Sequence, residues 1–240
     1  MSIKLGINGL GRIGKLVLRL TLAQNNIEVV HINDMMNTEL MAHLLKYDSI
    51  HGKLNASVTF DDNHIIINDK PIRVTNATQP TEIPWEETGT EFVVDSSGRF
   101  KTYSTLEGHL KHGVKKVVLS CPPDDYSIER VVVMGVNQNT ILPSDRIISN
   151  ASCTTNCVAI MLKVLLNEFG IENTFMNTIH PTTNNQNLQD GYHSDYRRAR
   201  SAINNIIPTT SSAVRSVHRI FPELKEKFKK QFIEYYYYDE

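Results

Sequence analysis

The sequence is short of several things, and each shortage closes off a class of protein. It holds only three cysteines in 240 residues, an odd number without framework spacing, so a disulfide scaffold is excluded. No apolar run is long enough to cross a bilayer. The N-terminus enters Ile3-Lys4-Leu5-Gly6-Ile7 directly, without a signal-peptide pattern. Together these features predict reduced thiols, a cytoplasmic setting and no membrane partner. A formal net charge of −1 provides no one-sided field, so nucleic acid is not an expected partner. Cys153 and Cys157 have no matching second pair of ligands, so no metal site is expected.

What remains is an ordinary soluble composition, 40% hydrophobic and 21% charged. That length can bury a core in one large or two modest domains. Strand and helix signals alternate along the first half. Ile3–Asn8 reads as a buried strand, Ile13–Gln24 as an amphipathic helix, Ile27–Ile32 as a strand and Thr38–Lys46 as a helix. Val58–Phe60, Ile65–Asn68 and Ile72–Val74 are short and separated by turn residues, which predicts a small antiparallel insertion. Phe92–Ser96, Leu106–His112, Lys116–Ser120 and Val131–Gly135 resume the alternation. The order predicts an α/β protein with a Rossmann-type, doubly wound parallel sheet over residues 1–150. A new pattern begins at 151: residues 180–205 are polar and loop-like, and Tyr235–Tyr238 form a short tyrosine run.

Two constellations carry chemistry. Gly9-x-Gly11-x-x-Gly14 follows a strand and opens a helix, a pattern that lets a pyrophosphate approach the backbone at a helix N-terminus. Asp34 ends the next strand twenty residues beyond Gly14. A carboxylate there suits the adenine-ribose hydroxyls and repels a 2′-phosphate, which favours NAD over NADP. The second constellation is Cys153, which follows the strand Arg146–Ser149 and a small polar turn and opens the apolar run Val158–Phe169, stopped by Gly170. A cysteine at a helix N-terminus sits where an anion is favoured and makes a reactive nucleophile. His180, at the end of the strand-like run Phe175–Ile179, is a plausible base for it. Cys157, one turn on, is expected to face the core, and Cys121 to be packed. His31, His43 and His193 belong to no constellation and are expected to be structural or at the surface.

The segment Ser149-Asn150-Ala151-Ser152-Cys153-Thr154-Thr155-Asn156-Cys157 resembles the active-site segment of phosphorylating glyceraldehyde-3-phosphate dehydrogenases and of their close relatives, the erythrose-4-phosphate dehydrogenases. Gly6-Ile7-Asn8-Gly9-Leu10-Gly11-Arg12-Ile13-Gly14, Leu44-Leu45-Lys46-Tyr47-Asp48-Ser49-Ile50-His51-Gly52 and Tyr196-Arg197-Arg198-Ala199-Arg200 resemble family signatures in the same order. The resemblance implies NAD as cofactor, held also by backbone groups at Arg12 and Ile13 and by Ser97, Gly98 and Ser120. It implies Cys153 as nucleophile and His180 as base, and a phosphorylated aldehyde and inorganic phosphate as partners. Thr183 would bind the substrate phosphate, while Ser152 and Thr154 would line a second anion site. Ser211-Ser212 falls where many members have Thr-Gly around inorganic phosphate, and Thr78 where many have an arginine near the adenine. Arg197, Arg198 and Arg200 fall in the loop that, in the family it resembles, shapes neighbouring cofactor pockets, and the resemblance implies a homotetramer. Glyceraldehyde 3-phosphate is the implied substrate, erythrose 4-phosphate the alternative.

The resemblance covers residues 3 to about 228 and ends after Phe221-Pro222-Glu223-Leu224-Lys225-Glu226-Lys227-Phe228. The composition break beyond it predicts an incomplete α+β catalytic domain over 151–240, and leaves an inactive NAD-binding remnant as a further alternative. The helix after Cys153 is then expected to expose Val158, Met161, Leu162 and Leu165, or to have them covered by a partner. The aromatic tail is expected to act as a substitute strand or a sticky one.

Overall fold

The computed structural model describes residues 2–111, 113–128 and 130–228 and the backbone of Glu234–Tyr237. The expected helix end at His112, and residues 229–233 and 238–240 of the tail, lie outside the described residues. The chain divides into two compact units, one of residues 1–132 and 137–151, the other of residues 133–136 and 152–240.

The first unit runs β1 (Ile3–Asn8), α1 (Arg12–Thr21), β2 (Ile27–Asn33), α2 (Thr38–Lys46), β3 (Tyr47–Asp48), β4 (Gly52–Lys53), β5 (Val58–Phe60), β6 (His64–Ile67), β7 (Lys70–Thr75), β8 (Phe92–Asp95), α3 (Tyr103–Leu106), β9 (Lys116–Leu119), β10 (Arg130–Val131) and β11 (Ile147–Ser149). Its nine-stranded sheet has the order β10-β11-β9-β8-β1-β2-β7-β6-β5. Every pair from β10 to β7 is parallel, and β6 and β5 add an antiparallel edge. The predicted antiparallel insertion is therefore the continuation of the main sheet: β7 pairs with β2, and the tight Asn68–Asp69 turn, with φ of 47° and 65°, folds β6 back onto it.

β1 lies between β2 and β8, where the strand order reverses, so the crevice beyond its carboxyl end is the place for a ligand in such a sheet. Strands covered on both faces read as continuous apolar runs. Leu5, Ile7, Val29 and Ile32 are accordingly buried with Leu10, Leu18, Met41 and Leu45. A second cluster gathers Ile83, Val93, Val117, Leu119 and Ile147 around Trp85. Helix α1 ends at Thr21, short of the expected Gln24, and the expected helix over 106–112 is a single α turn, α3, followed by 3-10 turns over Glu107–Leu110. The expected strand Val131–Gly135 reduces to β10, because the chain turns at Gly135 with φ of 84°.

The second unit contains α4 (Cys153–Glu168), β12 (Thr178–Pro181), β13 (Ile207–Thr209), α5 (Ala213–Ile220) and β14 (Glu234–Tyr237). Helix α4 packs against α5, and buries Thr154, Thr155, Val158, Ala159 and Leu162. Met161 and Leu165 are exposed, as are Ile160 and Val164. Val158 and Leu162 thus correct the sequence expectation: their stripe faces the unit's interior, and only its flank is open. Cys157 is a second correction. It is exposed, because the helical period carries it to the same side as Cys153, one turn away. The strand around His180 begins at Thr178 rather than Phe175, so His180 lies inside it and not after its end. No described helix is long and apolar enough to cross a membrane.

Gly6, in the central strand, is the tightest point of the first unit. A Cβ there would stand 2.5 Å from Cζ3 of the fully buried Trp85 and 2.9 Å from Cγ2 of Thr90. We expect Gly6→Ala to destabilise this unit by about 1–3 kcal/mol through overpacking. Urea unfolding followed by tryptophan fluorescence measures this, and a variant as stable as the parent would contradict the packing described.

Candidate active site

The glycine turn after β1 shows what each glycine is for. Gly9 has φ of +91°, and a Cβ on it would meet Ser97 N at 2.5 Å; one on Gly14 would lie 2.1 Å from Gly9 O. At Gly11 a Cβ would meet nothing within 4 Å. Two glycines are thus required by packing, while the third faces open space. No side chain caps the start of α1 and no acidic residue sits in its first turn, so the first-turn amides of Arg12, Ile13 and Gly14 have no side-chain acceptor within the turn, the arrangement that suits an anion at a helix start. The cleft above, about 230 Å³, is lined by Gly9, Gly11, Asp34, Thr78, Ser97 and Arg99 among others.

Asp34 is fixed at the cleft wall: its Oδ2 accepts from Leu10 N at 2.6 Å and its Oδ1 from Met36 N at 2.9 Å. Each oxygen keeps acceptor capacity for a hydroxyl. An uncapped helix start, a glycine against open space and a held carboxylate together fit a dinucleotide such as NAD. The Arg12 side chain is turned elsewhere, to Asp48 at 2.5 Å. That guanidinium, with the amides of His51 and Ile50, holds the Asp48 carboxyl well below the usual carboxylate range. Ser120 follows β9 directly, half-buried, with its amide donating to Asp95 O at 2.9 Å. It is not among the residues lining the cleft. Arg99 and Phe100 are, and sequence reasoning missed them although they follow Ser97-Gly98 directly.

Beneath the cleft runs a buried polar network that the sequence did not announce. Asp95 is fully buried. Its Oδ2 accepts from Asn8 Nδ2 at 2.7 Å and from His109 Nε2 at 3.0 Å, and its Oδ1 from Ser97 N at 3.1 Å and Ser97 Oγ at 2.7 Å. Trp85 Nε1, a donor only, bonds His109 Nδ1 at 3.2 Å, so the proton of His109 resides on Nε2 and is given to Asp95. Asn8 Oδ1 accepts from Asn33 Nδ2 at 2.9 Å, and Asn33 Oδ1 accepts from Thr75 Oγ1 at 3.0 Å. The Thr75 oxygen in turn meets His31 Nε2 at 3.0 Å. This network holds Ser97 and the Asn33–Asp34 strand end, the two sides of the cleft.

In the second unit Ser152 caps α4, its Oγ accepting from Thr155 N at 3.0 Å. Ala151, just before it, has φ of 59°, a left-handed conformation that costs a non-glycine residue about 1–2 kcal/mol. Cys153 then opens the helix, exposed, with Sγ 3.2 Å from His180 Nε2. His180 Nδ1 is 2.7 Å from the Pro181 carbonyl oxygen. A carbonyl only accepts, so Nδ1 carries the proton and Nε2 presents its lone pair to the thiol. Cys121 contrasts with Cys153: burial pushes its thiol up to about 11.

The other expected anion-site residues are scattered in character. Thr154 is buried and Ser212 exposed, while Ser211 is half-buried, its Oγ accepting from Ala213 N at 3.2 Å. Thr183 is exposed; its hydroxyl donates to Gln186 Oε1 at 3.0 Å. Arg198 donates from Nε to Thr209 Oγ1 at 2.8 Å and from Nη2 to the Thr210 carbonyl at 2.9 Å. Arg197 pairs with Asp195 and Arg200 with Asp190. The structure therefore brings Cys153 and His180 together and ties Arg198 to the segment before Ser211.

His31 gives the network a pH signature. Burial, with Arg73 nearby and Glu87 opposing, pushes its pKa down from 6.5 to about 4. The unfolded chain therefore binds a proton that the folded unit refuses between those values. Stability is fully present above about pH 6.5 and falls toward pH 4, by a limit on the order of 3 kcal/mol. We expect His31→Gln to lower stability at pH 7 and to flatten this slope. Denaturation midpoints at several pH values read it, and equal slopes in parent and variant would contradict the assignment.

Comparison with known proteins bears on the family. The pattern of the glyceraldehyde 3-phosphate dehydrogenase NAD binding domain matches residues 3–103, and that of the C-terminal domain of the same enzyme matches residues 152–232. Glyceraldehyde-3-phosphate dehydrogenase of Priestia megaterium is 46% identical over 228 residues, 95% of this chain and 68% of the relative. Glyceraldehyde-3-phosphate dehydrogenase 1 of Bacillus cereus is 48% identical over 225 residues, 93% of this chain and 67% of the relative. A chloroplastic glyceraldehyde-3-phosphate dehydrogenase of Arabidopsis thaliana is 46% identical over 227 residues, 93% of this chain and 53% of the relative. With both domain patterns matched and relatives at 46–48% identity over most of its length, the chain belongs to the glyceraldehyde-3-phosphate dehydrogenase family.

Proposed function

We propose that this chain oxidises glyceraldehyde 3-phosphate to an acyl phosphate, with residues 1–150 binding NAD and residues 151–240 carrying the covalent chemistry. The observation that carries this reading is the 3.2 Å approach of Cys153 Sγ to the unprotonated nitrogen of His180. Nε2 takes the thiol proton as Sγ attacks the aldehyde carbon, and the imidazolium then protonates the hemiacetal oxygen. The Cys153 amide, in the first turn of α4, is the candidate donor to that oxygen while it is charged. Nε2 receives the hydroxyl proton back as the carbon loses hydride and a thioester forms on Sγ. NAD, when bound, supplies the hydride acceptor. Inorganic phosphate then attacks the thioester carbon, and the Cys153 sulfur leaves as thiolate.

In this reading Gly9, Gly11, Arg12, Ile13 and Gly14 hold the pyrophosphate, Asp34 the adenine ribose, and Ser97, Gly98 and Ser120 the remaining cofactor contacts. The substrate and inorganic phosphates fall to Ser152, Thr154, Thr183, Ser211 and Ser212. Thr183 must then turn its hydroxyl away from Gln186 to donate to a phosphate oxygen. Assembly into a homotetramer belongs to the same reading, supported by the exposed Tyr192 and Tyr196 beside the arginine loop.

The test is NADH formation with glyceraldehyde 3-phosphate, with and without inorganic phosphate, and with erythrose 4-phosphate in parallel. We expect phosphate-dependent turnover with the triose that Cys153→Ser abolishes and His180→Asn lowers by about 100-fold or more. Preference for the tetrose without phosphate dependence would replace this reading with the erythrose-4-phosphate one. NAD binding without turnover on either aldehyde would reduce the chain to a nucleotide-binding remnant.

A further inference from the structure

His180 and the chain leading into Ser211-Ser212 lie on two strands that do not pair with each other. In the three-stranded sheet of the second unit the order is β12-β14-β13. β12 carries His180 and β13 leads into Ser211-Ser212. The middle strand is Glu234–Tyr237, parallel to β12 and antiparallel to β13. Tyr236 stands opposite His180 on one side and Ile207 on the other, and Tyr237 stands opposite Pro181. This strand lies beyond residue 232, where the match to the family's C-terminal domain ends. The strand that joins β12 and β13 is therefore drawn from a part of the chain outside the family match.

We propose that Glu234–Tyr237 is a positioning strand for His180. The inference rests on Cys153 and His180 acting as a pair. Among the described residues β14 is the only strand paired with β12, so the backbone ladder that sets the direction of the His180 side chain comes from the tail. An isolated strand of four residues has no stable conformation of its own in water. The same ladder holds Pro181, whose carbonyl accepts a hydrogen bond from His180 Nδ1 at 2.7 Å. Pairing by the tail thus fixes both where the imidazole lies and, through that carbonyl, which nitrogen faces Cys153. β14 touches neither substrate nor the reacting atoms in this role; it acts through His180.

The experiment uses the full chain with Tyr236→Pro, which removes an amide donor from the central strand, and Tyr236→Val, which retains a strand-forming residue. The rate of iodoacetamide labelling at Cys153 is followed by peptide mapping from pH 6 to pH 9, with NAD titration confirming that the first unit is intact. A thiol paired with a base reacts at low pH, whereas an unpaired one does not. We expect Tyr236→Pro to lose about tenfold in rate at pH 6 and to converge with the parent at pH 9, while Tyr236→Val follows the parent throughout. Amide hydrogen exchange on the parent provides an arm independent of any variant: protection is expected at whichever of the adjacent Ile179 and His180 amides faces β14, and protection of neither would overturn the proposal. A parent-like profile in Tyr236→Pro would overturn it too while leaving the Cys153–His180 pair intact. A parent profile like that of an ordinary exposed thiol would overturn the pair, and the proposal with it.

Discussion

In the proposed reaction, the hydrogen bond from His180 Nδ1 to the Pro181 carbonyl governs what Cys153 can do. A neutral imidazole carries its proton on either nitrogen with little preference, and only one choice makes His180 a base toward Sγ. The carbonyl of the next residue makes that choice at 2.7 Å. It can do so only while β12 keeps its shape, so a proton position depends on a strand ladder. Cys153 is held from the other direction, by a helix start that Ser152 caps and that Ala151 reaches through a left-handed turn. Catalytic groups need positions good to about half an ångström, and here each is fixed at the backbone rather than by a long side chain.

The cofactor unit reaches the same end by a different route. Its cleft walls are loops, and loops are held by what lies beneath them. Asp95 has every acceptor site occupied, two by Ser97 and one each by Asn8 and His109. A buried carboxylate with fewer donors would carry a large desolvation cost. Satisfied in this way it rigidifies the switch point of the sheet. The open face at Gly11 and the tight contacts at Gly9 and Gly14 then have a common origin. The turn is packed everywhere except at Gly11, the face that the proposed function gives to a pyrophosphate.

Much of this was legible in the sequence, and the gaps have physical reasons. β1 and α2 were found to the residue because buried parallel strands and capped helices leave strong local signals, and β5 because the turn Asp61-Asp62-Asn63 bounds it. The glycine spacing and the cysteine at a helix start also announce themselves, since both follow from backbone geometry. Cys157 was misjudged because an apolar helix does not disclose which of its sides is covered; burial of Thr154, Thr155 and Val158 settles it. The antiparallel insertion was placed apart from the sheet because the β7–β2 pairing joins residues some forty positions apart. The Asp95 network was invisible for the same reason: Asn8, Asn33, Trp85 and His109 are unremarkable singly and meet only in the fold. The tail could be suspected of forming a strand, but its place between β12 and β13 is a tertiary fact.

The most direct test of the account is to trap the intermediate it requires. The protein is mixed with NAD and glyceraldehyde 3-phosphate without inorganic phosphate, quenched in acid and mapped by mass spectrometry. The account expects an acyl group as a thioester on the peptide carrying Cys153 and none on Cys157 or Cys121, discharged when inorganic phosphate is added before the quench. NADH formed with Cys153 unmodified, or an acyl group on Cys157 instead, would contradict it.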